Sequence, residues 1–427
     1  MTNVTDRLCE FVIGASPSPD ALEMMRLSLF DWAACAIAGV PEPVSRILHD
    51  KAVQQGGAAH ATLAGGGQAP CSVAALVNGT TSHALDYDDT HFAHIGHPSV
   101  AVIPAALALA EHSGAGLQAL LDAALIGAEG SIRFGIWLGR PHYQIGFHQT
   151  ATAGAIGATL AALRVLGATS DVARNALGLA ASRASGLKSQ FGTMGKPYNA
   201  GLAAETGVEA AVLAMSGMTS AADGLSGGQG FGQTHHGIAD ASAFDRLGTD
   251  WAFLTISHKF HACCHGLHAM LEALSGQTGH LPDRVEIETH PRWLSVCNIA
   301  EPVTGLEAKF SYRLTAAMAL SGKSTAALDS FSDETAADPA LCALRDRVSI
   351  RGNDTIAETA SRVTLWKDGK TEVLTHDLSG PISTELRAAK LRAKAEALLG
   401  LARAEALWAA IAADNLTALT DCLGSQA

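Results

Sequence analysis

The sequence predicts a mainly α protein, made of a large all-α domain and a smaller α+β domain. Three observations carry this expectation. From Pro98 to about Gly217 the text is almost unbroken Ala/Leu-rich helical pattern, apolar on more than one face, as in helices buried all round. After about residue 258 the pattern changes to short alternating runs of the kind that form half-buried strands. From about Leu386 to Leu423 it returns to Ala/Leu/Lys/Arg helix. The expected domains are therefore discontinuous, with residues 1–258 and 386–427 in the helical one and 259–385 in the α+β one. A chain of 427 residues, 48% hydrophobic, has enough apolar mass for two cores.

In chain order, Ser18 is placed to cap a helix, Pro19 sits at its first turn, and Gly39 ends it. Residues 56–70 read as loop, with one short extended piece at HATLAG, and SVAALVNGTTSHAL as a second helix. Five buried helices are expected near 98–113, 116–135, 150–165, 171–184 and 199–216. Small residues such as Ala151, Gly154 and Gly157 would let them approach closely. Residues 218–247 form a glycine-rich break without the lysine-serine pattern of a phosphate loop. In the second domain, 284–293 and 347–352 read as strands, and 361–378 as a hairpin turning at Asp368-Gly369. Residues 310–322 read as a helix between them.

Composition excludes several classes. A net charge of −12 argues against nucleic acid or an anionic membrane as partner. No apolar run reaches the length of a membrane span, and the first residues lack the pattern of a signal peptide. Eight scattered cysteines fit reduced thiols in the cytoplasm better than a disulfide framework.

The chemistry concentrates in HALDYDDTHFAHIGHPS, His83 to Ser99, which holds four histidines and three aspartates in seventeen residues. Set between two buried helices, it is expected to be a loop facing a cleft. Neutral imidazole beside carboxylate is suited to moving protons near neutral pH. The bland alternative makes Asp88, Asp89 and Thr90 turn and cap residues. Three further stretches stand out: His148 at a helix start, Lys188 and Lys196 in a glycine-bearing loop, and SHKFHACCHGLH with Lys259, His261, Cys264, His265 and His268. The last could hold zinc, as could the string His91, His94, His97. Neither fits a common zinc signature, and no metal or other cofactor is expected.

The run His83 to Thr90 followed by His97-Pro-Ser99 resembles the MmgE/PrpD family. So do GFH at 146–148, GTMGKP at 192–197, the Lys259–His268 segment and AKFS at 308–311, in the family's order. The resemblance implies a helical domain with a smaller α+β lid, a homodimer, and acid–base chemistry without cofactor on a small anionic polycarboxylate. The family's activities are dehydration of 2-methylcitrate, decarboxylation of cis-aconitate and epimerisation of iminodisuccinate. It implies Asp86, His97, His148, Lys196 and Lys259 as the active-site set; Lys188, in the loop with Lys196, and His268 are further substrate-binding candidates from the sequence itself. Three departures bear on the reaction. His261-Ala262 stands where the family has an aromatic residue and proline. Leu314 stands where its lyases commonly carry tyrosine, with Tyr312 two residues earlier. The chain is also shorter than many of the dehydratases.

The expected mechanism is removal of a proton next to a carboxylate, with His97, oriented by Asp86, as base and His148 as acid. Lys196 and Lys259 would hold carboxylates in a local basic island. A dehydratase-like lyase is the first expectation, an epimerase or a decarboxylase the alternatives. An inactive helical scaffold is the alternative of another class, and it predicts no clustering of these residues.

Overall fold

Burial all round, read from the Ala/Leu text, is what the central helices show. In the computed structural model, which describes residues 3–279 and 281–425, every residue from Ser99 to Ala110 is buried, and every one from Gln149 to Leu163. The chain divides into two units, Met1–His258 with Leu399–Ala427, and Lys259–Leu398. The helix Thr384–Leu399, expected to return with the tail, lies in the second unit almost to its last residue.

The first unit begins with α1 (Val4–Gly14), α2 (Pro19–Gly39) and α3 (Pro43–Gln55). Ser18 caps α2 by accepting from the Ala21 N–H, as its sequence promised. A two-stranded ribbon follows, β1 (Ala61–Thr62) and β2 (Gln68–Ala69), paired antiparallel around a turn in which Gly65, Gly66 and Gly67 all take positive φ. Then come α4 (Cys71–His83), α5 (Ser99–Ser113), α6 (Leu117–Ile145), α7 (Gln149–Leu166), α8 (Ser170–Arg183) and α9 (Gly195–Met215). α6 is longer than expected because it continues past a break at Gly139, whose φ of 72° interrupts the helical backbone.

Small residues set how closely these helices pack. A Cβ on Gly201 of α9 would lie 2.1 Å from Thr80 Oγ1 and 2.4 Å from the Leu76 carbonyl oxygen of α4. Gly201→Ala is therefore expected to force the two helices apart, at a cost of about 1–3 kcal/mol typical of overpacking. A lowered thermal unfolding midpoint, followed by circular dichroism, is the check; an unchanged midpoint would mean that α4 and α9 are not packed this closely.

The second unit holds a four-stranded sheet in the order β4-β3-β5-β6, with β3 Arg284–Thr289, β4 Val348–Gly352, β5 Ala360–Lys367 and β6 Lys370–Asp377. β3 runs parallel to β4 and antiparallel to β5, and β5 pairs with β6 through a hairpin turning at Asp368-Gly369, both at positive φ. Val285 and Ile287 of β3 lie opposite Leu365 and Val363 of β5, all buried, which builds one apolar face. The helix Tyr312–Ser321 lies within the expected 310–322.

The expected class, mainly α with an all-α first domain, needs correction. With 59% helix, 9% strand and a four-stranded sheet, the protein is mixed α/β, and its first unit carries the β1–β2 ribbon. The strands themselves were expected; what periodicity within one segment does not show is that they pair into one sheet, and that the extended piece at HATLAG pairs with Gln68–Ala69. Among the described residues no helix is long and apolar enough to cross a membrane.

Candidate active site

Three helix ends converge on the loop after His83. His83 closes α4, His148 is the residue that precedes and caps α7, and Lys196 lies in the first turn of α9. The loop between α4 and α5 is fixed from several sides. Thr90 exchanges two backbone hydrogen bonds with Ser257, each 2.8 Å. The segment leading to Ser257 is held in turn by Glu129, whose carboxylate accepts from the Ala252 and Phe253 N–H groups. The His97 N–H donates to Thr150 Oγ1 at 3.1 Å. Asp89 takes the Ser99 hydroxyl and N–H, and so anchors the start of α5. Burial pushes the Asp89 carboxyl up to about 7.

Asp88 is the centre of the cluster. It is buried, and its two oxygens are each met by an imidazole, Oδ1 by His83 Nδ1 at 2.9 Å and Oδ2 by His97 Nδ1 at 2.7 Å. Burial works against its charge, but the two histidines hold its carboxyl well below the usual carboxylate range. An ionised Asp88 can only accept, so both rings carry a proton on Nδ1. His83 Nε2 is buried without a hydrogen-bond partner. His97 Nε2 lies 3.4 Å from Asp86 Oδ1, which is paired at 2.7 Å with the Lys196 ammonium. Burial pushes His97 down to about 4, with Asp88 opposing, so its ring is neutral at pH 7.

His148 stands beside this pair, its ring stacked 6.2 Å from that of His83. Asn199 Nδ2 lies 3.3 Å from His148 Nδ1 and 3.4 Å from the Leu187 carbonyl. The carbonyl requires a donor, which orients the amide and makes His148 Nδ1 an acceptor. Its proton is then on Nε2. Burial and the Lys196 charge keep His148 well below its ordinary range, hence neutral. The site thus presents a lone pair on His97 Nε2 and an N–H on His148 Nε2.

Of the expected residues, the first unit brings together Asp86, His97, His148 and Lys196. Lys188 instead donates to the Tyr143 carbonyl at 3.0 Å and lies 3.7 Å above that ring. Lys259 and His268 belong to the second unit, where both are buried and His268 lies 3.3 Å from the Cys263 carbonyl. Tyr312 is also buried there, with its hydroxyl donating to the Gly266 carbonyl at 2.6 Å, and Leu314 is core. The carboxylate that orients His97 through Nδ1 is Asp88, not Asp86. Asp88, His83 and Asn199 were not singled out from the sequence for chemistry. The signal lay in DYDD, where Asp86 and Asp88 are two apart in one short loop, but nothing local ranks one above the other.

His91 and His94 are taken by structure. His91 Nε2 meets Thr255 Oγ1 and the Ala252 carbonyl, and His94 Nε2 meets Ser131 Oγ. Among the described residues the 257–268 stretch forms no cluster of three metal donors. His83, Asp86, Asp88 and His97 do offer four donor atoms within 4.8 Å. Asp88 already accepts from both rings, however, and Asp86 is paired with the Lys196 ammonium.

Burial of neutral histidines has a measurable consequence. His91, His97 and His142 are pushed down to about 4, and His94 to about 3, in each case chiefly by burial. The unfolded chain binds a proton at each below about 6.5, whereas the folded chain does not. Stability should therefore fall as pH drops from 6.5 towards 4, each group contributing up to about 1.4 kcal/mol per pH unit. Asp89, raised to about 7, and Glu111, Glu129 and Glu205, also raised by burial, act in the opposite sense, but His148, His235, His268 and His376 are lowered as well, so the histidines outnumber the carboxyls. Denaturant midpoints measured across this range should decline steeply, and a flat profile would contradict the burial assigned here.

Residues 6–243 match the MmgE/PrpD N-terminal domain and residues 261–417 the MmgE/PrpD C-terminal domain. Similar proteins include a cis-aconitate decarboxylase-like protein of Aspergillus oryzae, 29% identical over 328 residues, 70% of this chain and 67% of that one. A cis-aconitate decarboxylase of Aspergillus terreus is 30% identical over 305 residues, 66% of this chain and 61% of its own length. The human cis-aconitate decarboxylase is 36% identical over 170 residues, 38% of this chain and 35% of its own.

Proposed function

Because this chain belongs to the MmgE/PrpD family, we propose that it is a lyase acting on a small polycarboxylate through acid–base chemistry of its own side chains. The observation that carries this reading is the Asp88-bridged imidazole pair, with His97 Nε2 beside the Asp86–Lys196 ion pair and His148 within the same cluster. Grouping of Asp86, His97, His148 and Lys196 is what an inactive scaffold would not need to keep.

The roles follow from the tautomers. In dehydration His97 Nε2 takes a proton from carbon next to a carboxylate, and the imidazolium so formed is stabilised by Asp88 on one nitrogen and Asp86 near the other. Lys196 exchanges its partner Asp86 for a substrate carboxylate, where a charge-assisted hydrogen bond in a half-buried site is strong. His148 delivers the Nε2 proton. In dehydration that proton goes to the β-hydroxyl, which leaves as water while the carbanion pair forms the double bond. In decarboxylation of an unsaturated tricarboxylate, His148 protonates the alkene carbon, the allylic carboxylate leaves as carbon dioxide, and its electron pair forms the new double bond.

Similarity to cis-aconitate decarboxylases supports decarboxylation as the reaction. Dehydration of a 2-methylcitrate-like hydroxy acid is the second reading, favoured by a neutral His97 poised as a base. Epimerisation needs acid and base on opposite faces of the substrate. Proton NMR in heavy water with cis-aconitate, 2-methylcitrate, citrate and iminodisuccinate separates them, because an alkene with carbon dioxide, an alkene with water, and an inverted isomer carrying deuterium are distinct products. No turnover and no exchange with any of the four would overturn the proposal. Cytoplasmic residence and a homodimer are part of the same reading, the first supported by eight cysteines outside any disulfide. Light scattering of the purified chain tests the dimer.

Lys196→Met should raise KM roughly tenfold to a hundredfold, as expected from loss of one charge-assisted bond worth about 1.5–3 kcal/mol. Steady-state kinetics at fixed pH is the check, and an unchanged KM would remove Lys196 from substrate binding.

A further inference from the structure

Away from the histidine–aspartate cluster, the first unit gathers a second set of metal-binding donors. We propose that His60, Cys71 and His112 form a binding site for one zinc ion. One donor atom from each lies within 4.8 Å of the others, and the two imidazole rings are 4.1 Å apart, inclined by 30°. No part of the acid–base site contributes to it.

Three separate elements create the convergence. His60 directly precedes β1, and its backbone N–H lies 3.1 Å from the Ala69 carbonyl at the end of β2. Cys71 opens α4, one residue beyond Pro70, and His112 lies in the last turn of α5. Cys71 is the fixed point, buried, with its thiol 3.4 Å from the Ala108 carbonyl. His112 is exposed and His60 partly so, which leaves their rings free to close. Around a tetrahedral ion with bonds of about 2.0–2.3 Å, donor atoms sit on the order of 3.5 Å apart. Closing from 4.8 Å needs only side-chain rotation of the two histidines.

The donor chemistry selects the ion. One thiolate with two imidazoles is a borderline-soft set, suited to zinc and poorly suited to magnesium or calcium. Glu111 stays outside the set because its carboxylate is engaged by the Thr62 N–H at 3.0 Å and hydroxyl at 2.6 Å, but its charge lies nearby. A cavity of about 570 Å³, lined by His60, Gln68, Glu111 and Asn415 among others, meets the cluster at His60. It leaves room for water or a small anion as fourth ligand, the arrangement of an open zinc site.

The test is cobalt and zinc titration of the chelator-stripped full chain. One equivalent of cobalt should bind with a thiolate-to-cobalt charge-transfer absorption, which zinc then displaces. Cys71→Ser should abolish that absorption. His112→Ala, an exposed change that spares the fold, should weaken zinc binding at least about tenfold to a hundredfold, the range already reached by losing an outer partner of a ligand. His97→Asn should leave both uptake and absorption as in the parent chain, which separates this site from the four donors around Asp88. Absence of cobalt uptake, an absorption that persists in Cys71→Ser, unchanged affinity in His112→Ala, or loss of uptake in His97→Asn would each overturn the assignment.

Discussion

Asp88→Asn should lower kcat/KM by roughly 10²–10⁴, the range that positioned acid–base groups supply. Asparagine has nearly the same shape, so the change isolates charge and proton placement. Asp88 accepts from His83 Nδ1 and His97 Nδ1 at once. An amide has one accepting oxygen and one donating nitrogen. One of the two rings must then turn Nδ1 into an acceptor and carry its proton on Nε2. If that ring is His97, the lone pair needed for proton removal is lost. If it is His83, His97 keeps its tautomer but loses the negative charge that stabilises its imidazolium. Either way the base is weakened. Steady-state kinetics on variant protein shown to be folded by circular dichroism is the measurement. Turnover close to that of the parent chain would remove Asp88 from the mechanism. Asp88→Ala should in addition destabilise the fold by about 1–3 kcal/mol for each buried imidazole N–H left unsatisfied.

His97→Asn should cost at least about a hundredfold in kcat. With a hydroxy-acid substrate, whose dehydration starts by proton removal from carbon, it should also abolish exchange of substrate carbon-bound hydrogen with deuterium from solvent, a readout that a packing defect alone would not remove selectively. The two changes should not add. His97 and Asp88 act as one unit, so the double variant is expected to be no slower than the worse single one, as for residues that share one step. Additive losses would mean that Asp88 serves something other than His97, with His83 and its unpartnered Nε2 as the first place to look.

How much of this was legible in the sequence differs from residue to residue. The helices from Ser99 to Met215 were readable because each is apolar on several faces, a property of its own residues. The Asp368-Gly369 hairpin was readable for the same reason, since positive φ at both positions is a local demand. Class was misjudged, because the β4-β3-β5-β6 order joins strands whose paired residues lie up to about eighty positions apart, and because the extended piece at HATLAG gains a partner only when the chain folds back to Gln68–Ala69. In the candidate site, Asp86, His97, His148 and Lys196 were named from motif likeness, and they do meet. Lys188 was named too, and turns to Tyr143.

What the sequence by itself determined is the inventory: which stretches are buried helix, where the loops lie, and that imidazoles, carboxylates and lysines concentrate between α4 and α9. What only the tertiary structure decided is which nitrogen faces which oxygen. Asp86 and Asp88 are equivalent in a list of residues. They differ because Asp86 sits at a φ of 50° and is turned to Lys196, while Asp88 is enclosed between the rings of His83 and His97. Enclosure also keeps His97 and His148 neutral, and it is the summed effect of helices that approach closely enough to exclude water. A hydrogen bond and a desolvation penalty depend on atoms brought together from distant parts of the chain, so neither is written in any one segment of it.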